Sequence, residues 1–172
     1  GSSILILIFS PLFLFVSVLI KLESKGPIFF TKDDTGSPIY RMGLNKNPFV
    51  MYKFRTMQDN SHSMRYTTLK DQDLRKDSPM VKIKNDPRVT RLGRILRRFD
   101  IDELPQLFNV LFGDMSLVGP RPHLQEEVEK YQNHHNFVFT IKPGITGLPQ
   151  ISGRSDLDFE SEIVLDSNYI QN

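Results

Sequence analysis

Cysteine is absent from the 172-residue chain. There can be no disulfide framework, no thiolate metal site and no cysteine nucleophile, a composition that fits a cytosolic catalytic domain. A large net charge is missing too: 22 Lys and Arg stand against 20 Asp and Glu, leaving +2, so net charge singles out no partner. Neither a P-loop nor a dinucleotide fingerprint occurs, which excludes those two phosphate-binding frameworks. The alternating strand and helix runs of a nucleotide-binding parallel sheet are also missing. What remains is enough length for one domain with a real core.

The first feature present is a long apolar run. Ile4 to Ile20 is apolar except for Ser10, Pro11 and Ser17. As a helix at roughly 1.5 Å per residue it spans about 26 Å, slightly short of the hydrocarbon thickness, and is membrane-directed. Gly1-Ser2-Ser3 reads as a vector-derived scar with the native start missing. No basic region precedes the run and no small-residue cleavage site follows, which argues against a secretory signal. Pro11 has no N–H for the Leu7 carbonyl, so a kink is expected, with Ser10 helping to satisfy the freed backbone. A short kinked segment can dip into one leaflet and return. Proline is nonetheless tolerated in spanning helices, and composition alone favours plain spanning.

Past Gly26-Pro27, Ile28-Phe29-Phe30 and Ile39-Tyr40-Arg41-Met42 flank the turn-rich residues 33–38 and predict a hairpin, with Phe49 to Phe54 as a third strand. Lys53-Phe54-Arg55-Thr56-Met57 alternates basic with apolar residues, as at a phosphate site or a solvated edge. Asp59 to Pro79 is polar and predicts a surface segment with a short helix. His62 within it reads as solvated, since no partner stands at a metal-site spacing. Val81-Lys82-Ile83-Lys84 alternates as a strand does, and Asp86-Pro87 marks a turn.

A basic segment follows. Residues 82–98 carry seven Lys and Arg against one acid, Asp86, a local field suited to phosphates, nucleic acid or an anionic membrane surface. From Thr90 on, Leu92, Ile95, Leu96 and Phe99 fall on one side of a 3.6-residue period and Arg91, Arg94, Arg97 and Arg98 on the other. A second period, Leu104, Leu107, Phe108 and Leu111, is closed by Gly113. Asp102 and Glu103 therefore sit at a junction between two helices. Unpaired N–H groups and the macrodipole at a helix start favour carboxylates and attract phosphate. The structural alternative is a capping box, with Asp100 as cap and Glu103 reaching back, beside a solvated arginine face.

Further on, prolines on both sides of Arg121 make a stiff mount for a guanidinium, useful for bidentate phosphate binding, although a turn with an exposed arginine is the commoner situation. Gln125 to Gln132 predicts a helix. Lys142-Pro143-Gly144-Ile145-Thr146-Gly147 and Gly153-Arg154 form a loop-rich stretch compatible with phosphate.

Taken together, Ser10-Pro11, Lys53-Phe54-Arg55-Thr56-Met57, Asp86-Pro87-Arg88-Val89-Thr90-Arg91, residues 102–110 (DELPQLFNV), residues 114–122 (DMSLVGPRP) and Pro143-Gly144-Ile145-Thr146-Gly147 resemble the bacterial sugar transferases, the monotopic phosphoglycosyl transferases. The motifs run in order through nearly the whole chain. The resemblance implies a single α+β domain, mainly helical, with a small antiparallel hairpin or sheet and an N-terminal re-entrant membrane helix. Residues 4–25 would form that helix and its flank, and residues 26–172 the catalytic domain, without the family's C-terminal end. The implied activity is transfer of a sugar phosphate from a UDP-sugar to polyprenyl phosphate on the cytoplasmic face of the bacterial inner membrane.

On that resemblance Asp102 is the covalent nucleophile and Glu103 is associated with Mg²⁺. Ser10 and Pro11 break the re-entrant helix, which reverses the preference drawn from composition. Lys53, Arg55, Arg88, Arg91, Arg121 and Arg154 are the expected phosphate ligands. The implied partners are the UDP-sugar, polyprenyl phosphate and membrane lipid, with nucleic acid excluded and homo-oligomerisation left open. Two departures stand out: Lys32-Asp33-Asp34-Thr35-Gly36 replaces a Gln-x-Arg-x-Gly pattern, and His123 replaces a glutamate after the Pro-Arg-Pro motif.

Two rival readings accompany this one. Asp100-Ile101-Asp102 spells the D-x-D motif of metal-dependent glycosyltransferases that release UDP, but so do Asp71-Gln72-Asp73 and Asp156-Leu157-Asp158. The other rival is a non-catalytic membrane anchor that binds anionic lipid or nucleic acid through the basic segment.

Overall fold

The computed structural model describes residues 1–72, 83–153 and 157–171. Helix α1, Ser2–Glu23, is longer than the apolar run and continues through Pro11. Its continuity has a local cause: Ser10 Oγ donates to Leu7 O at 2.8 Å, the carbonyl that Pro11 leaves without an amide. The later part of α1 enters the core. Val16 and Ile20 are buried with Phe54 and Leu96, and the Phe13 ring lies 5.9 Å from Phe54 and from Phe108. Ile4, Leu7 and Ile8 stay exposed.

The sheet differs from the expected hairpin. Strands β1 (Tyr40–Met42), β2 (Pro48–Val50) and β4 (His123–Leu124) form an antiparallel sheet in the order β2-β1-β4, with Arg41 opposite both Phe49 and Leu124. The turn at 33–38 does close, through a Lys32–Pro38 bridge and Ile39 N to Thr31 O at 2.9 Å. Phe29 and Phe30, however, pair with 53–54: Phe30 N reaches Lys53 O at 2.8 Å, and the Phe29 and Phe54 rings stack at 5.6 Å. The cross-strand pair stacks Phe29 on the buried Phe54.

Strands β3 (Ser116–Val118) and β5 (Gly144–Thr146) make a two-stranded parallel pair that the sequence did not suggest. Gly144 is required there, because a Cβ on it would fall 2.1 Å from Gly119 N.

Helix α2, Arg91–Arg98, starts at Thr90, whose hydroxyl accepts from Gly93 N at 2.9 Å. Gly93 lets it lie against the chain at Thr56, since a Cβ would come within 2.1 Å of Thr56 O. Helix α3, Gln106–Phe112, ends at Gly113 with φ 90°, as its period predicts. The expected helix at 125–132 shortens to α4, Gln125–Val128, followed by a 3-10 stretch, Asn133–Thr140. Helices α5 (Leu148–Ser152) and α6 (Phe159–Gln171) complete the chain. A second core joins Met42, Val138, Phe139, Phe159 and Ile163.

The polar segment after Asp59 forms two 3-10 turns, Ser63–Arg65 and Lys70–Gln72, with Leu69 buried between them. Its end at 73–79, and Val81 and Lys82 of the expected strand, lie outside the described residues. Lys84 and Asn85 form a turn.

Candidate active site

Asp102 and Glu103 stand in a 3-10 turn, Ile101–Glu103, between α2 and α3. The chain enters it through Asp100, whose left-handed φ of 54° breaks the line of α2. The capping-box alternative is not realised, because Asp100 makes no side-chain cap bond in this turn and Glu103 turns away to Lys53. Phe54 N donates to Asp102 O at 3.0 Å, which ties the strand at 53–54 to the turn. With Phe54 locked into the core, Lys53 faces the acids: its Nζ lies 2.8 Å from Glu103 Oε1 and 3.3 Å from Asp102 Oδ2.

Asp102 is only 4% exposed. For Glu103, burial by itself would raise the pKa, but the charges of Lys53 and Arg121, with hydrogen bonds from Lys53 and Gln106, outweigh it and hold the carboxyl below its usual range.

The pair borders a cleft of about 800 Å³, also lined by Lys53, Arg97, Arg121 and Gln150. That volume suits a nucleotide-sized ligand. Arg97, grouped by its period with a solvated face, is the residue sequence reasoning missed. Its Nε donates to Thr56 Oγ1 at 2.9 Å, and Asp102 is the charge that acts on it most strongly. Its place one turn ahead of the acids was the available signal.

Other expected phosphate ligands separate. Arg121 lines the cleft beside Glu103. Arg55 does not: it is buried, with Nε on Pro27 O at 2.6 Å, Nη1 on Ser24 Oγ at 2.8 Å and Nη2 on Ser24 O at 3.0 Å. It clamps the end of α1, where a cation also meets the negative pole of the helix. Arg88 borders the cleft but holds Asp86 in a two-pronged bond, Nε to Oδ1 at 2.9 Å and Nη2 to Oδ2 at 2.6 Å. Arg91 is exposed on the first turn of α2 and is not part of the lining. Arg154 lies outside the described residues.

His62 is half-buried and lines the cleft, contrary to its solvated reading. His123 is buried on β4, where burial, opposed by Glu127, depresses its pKa to about 4 and leaves it neutral.

Asp100, Asp102 and Glu103 offer the hard oxygen donors that Mg²⁺ prefers, and all line the cleft, so the residues fit that ion. Elsewhere His134, His135 and Glu160 bring potential ligand atoms within 4.8 Å. There His135 Nδ1 accepts from Gln132 N at 3.1 Å, which leaves the ring proton on Nε2, facing Glu160 at 3.2 Å. A protonated nitrogen cannot ligate a cation.

The sequence profile of the bacterial sugar transferase family matches residues 1–172. The chain is 38% identical to the exopolysaccharide production protein ExoY of Rhizobium meliloti, covering 100% of this chain and 74% of that protein. It is 44% identical to the undecaprenyl-phosphate galactose phosphotransferase of Salmonella typhimurium over 81% of this chain and 30% of that protein. Against the undecaprenyl-phosphate glucose phosphotransferase of Komagataeibacter xylinus it is 42% identical over 99% of this chain and 31% of that protein. It thus spans about a third of the length of the two phosphotransferases.

Proposed function

Because the chain belongs to the bacterial sugar transferase family, we propose that it moves a sugar phosphate from a UDP-sugar to polyprenyl phosphate at the cytoplasmic face of the bacterial inner membrane. The observation that carries this reading is the Asp102–Glu103 pair, bridged by Lys53 in a cationic cleft, on a domain that has an apolar helix built into its core. Two of the relatives are named for transfer to undecaprenyl phosphate, which supports the acceptor class.

Asp102 attacks the β-phosphorus of the donor. A bond forms from its carboxylate oxygen to phosphorus, the bridging P–O bond breaks, and the electron pair leaves with UMP. Lys53, already between both acids, and Arg97 and Arg121 on the cleft wall neutralise the diphosphate and reduce its repulsion from the nucleophile. Of the adjacent pair, Glu103 is the carboxylate more open to Mg²⁺, since its side chain keeps 23% exposure against 6% for Asp102. When bound, the ion would supply further charge neutralisation at the diphosphate. An oxygen of polyprenyl phosphate then displaces Asp102 from the phosphosugar, restoring the carboxylate. Helix α1 brings this lipid phosphate and a water-soluble donor to one place.

Incubation with UDP-sugar and no acceptor tests the scheme. A burst of UMP limited by the amount of enzyme is expected, with a phosphosugar mass on the peptide containing Asp102. Asp102→Asn keeps the shape and loses both. Release of UDP would instead support the D-x-D glycosyltransferase, and no nucleotide release with salt-reversible lipid binding would support the anchor.

A further inference from the structure

The cleft extends beyond the acids to a wall that the transfer chemistry does not use. Phe30, His62, Arg65 and Arg88 line this part. The His62 ring lies 5.6 Å from the Phe30 ring at an interplanar angle of 47°, and 5.9 Å from Tyr66. Its backbone is anchored on both sides. His62 N donates to Asp34 Oδ1 at 2.9 Å, Ser63 N to Asp34 Oδ2 at 2.8 Å, and the His62 carbonyl accepts from Arg88 Nη1 at 3.5 Å. Tyr66 is itself fixed by its phenol on Glu126 and carries the Arg65 guanidinium over its ring at 4.9 Å. Burial and the Arg65 charge hold the imidazole pKa below its ordinary value, so the ring is neutral at pH 7. It presents aromatic surface to the cleft rather than charge.

Contacts give the order of groups along the cleft. Lys53 Nζ meets both acids at 2.8 and 3.3 Å, the Lys53 carbonyl accepts from Phe30 N at 2.8 Å, and the Phe30 ring lies against that of His62, whose carbonyl accepts from Arg88. The carboxylates come first, Lys53 next, and the ring pair last. A nucleoside diphosphate sugar has the same order when read from its β-phosphorus towards the nucleotide end. The reacting phosphorus is at Asp102, the α-phosphate meets Lys53, and the base is carried farthest. The sugar departs with the β-phosphorus and therefore stays at the acid end.

From this juxtaposition we infer that Phe30 and His62 form the base-binding wall of the donor site, stacking on the pyrimidine of the nucleotide. The inference rests on the UDP-sugar reading and adds which residues recognise the nucleotide. Stacking on a preformed aromatic surface is a sequence-tolerant but substantial source of affinity.

Calorimetric titration of the detergent-solubilised protein with UMP, and with ribose 5-phosphate, which lacks the base, is the test. Phe30→Ala and His62→Ala are expected to bind UMP about ten-fold or more weakly, the size of one lost stack, with ribose 5-phosphate binding unchanged. His62→Phe keeps a ring and restores UMP binding. Equal weakening for both ligands, or unchanged UMP binding in the alanine variants, overturns the wall. Should the alanine variants fail to fold, the wild-type protein with labelled histidine decides. The His62 ring resonances shift with UMP but not with ribose 5-phosphate, and no shift overturns the inference. If the wild-type protein neither binds nor releases UMP, the donor reading falls and the wall with it. UMP release by the wild-type protein, with UMP binding unchanged in the alanine variants, removes the wall alone.

Discussion

Asp166 is the side chain least comfortable in the fold. It is 4% exposed, its Oδ1 has no hydrogen-bond partner among the described residues, and burial with the nearby Glu162 charge pushes its pKa up to about 7. A carboxyl whose folded pKa lies above its unfolded value of 3.8 binds more protons in the folded state between those limits. Stability from this group is therefore full below pH 4 and falls as pH rises towards 7. The loss amounts to about 4 kcal/mol at most, by the 1.36 kcal/mol per pH unit of linkage. Asp166→Asn should raise the melting temperature at pH 8 and change it little near pH 4, flattening the profile between. Parallel profiles for the two proteins would show that Asp166 is ionised in both states. The depressed carboxyls Glu103 and Glu127 act in the opposite sense: their contribution is lost as pH falls below the normal glutamate range, so the two effects occupy different windows. At this scale the sequence singled out Asp102, Glu103 and Arg121, which the structure brings to one cleft, because adjacent acids at a helix junction and an arginine between prolines carry local signals. It misjudged Arg55, Arg97 and His62, whose partners lie 31, 41 and 28 residues away. No local pattern reports a partner at that distance.

Elements show the same division. α3 was legible from its 3.6-residue period and terminal glycine, which are local, and Ser10 serves the Leu7 carbonyl as the peptide geometry requires. Strand pairing was not legible. β1 pairs with β4 more than 80 residues away, and β3 and β5 have three residues each, too few to display an alternation. The Arg55 clamp yields a prediction at this scale. Replacing it with Met would remove the donor to Ser24 O and Pro27 O, both part-buried bonds, at about 1 kcal/mol for each lost hydrogen bond. Arg55→Met should lower the melting temperature and open residues 24–27 to protease while leaving UMP binding nearly intact. Arg121→Met should do the reverse, weakening UMP binding at unchanged melting temperature. Similar losses of UMP binding in the two variants would return Arg55 to the phosphate site.

For the whole molecule the decisive relation is between α1 and the domain it enters. Its 22 residues measure about 33 Å at 1.5 Å per residue, and length alone would let it cross a hydrocarbon layer of about 30 Å. Packing forbids that use of the length. Leu12, Phe13, Val16 and Ile20 belong to the same core as Phe54 and Leu96, so from Leu12 on the helix is committed to the domain. Ten residues from Ser2 to Pro11 reach about 15 Å, half the hydrocarbon layer. Undocking α1 to span would strip the cover from Phe54 and Leu96 and expose both to water, a loss of several kcal/mol by the usual burial scale. Docking is then expected to limit insertion to one leaflet, with Ser10 keeping the inserted part continuous through Pro11. The absence of cysteine makes the test clean, because single cysteines can be placed without background. Lys25→Cys should react with a membrane-impermeant maleimide in inside-out vesicles and stay unlabelled in right-side-out ones, while Ile4→Cys, held within the leaflet, should be labelled from neither side. Labelling of position 4 from the outside would mean that α1 spans, and that its packing against the domain is given up in the membrane.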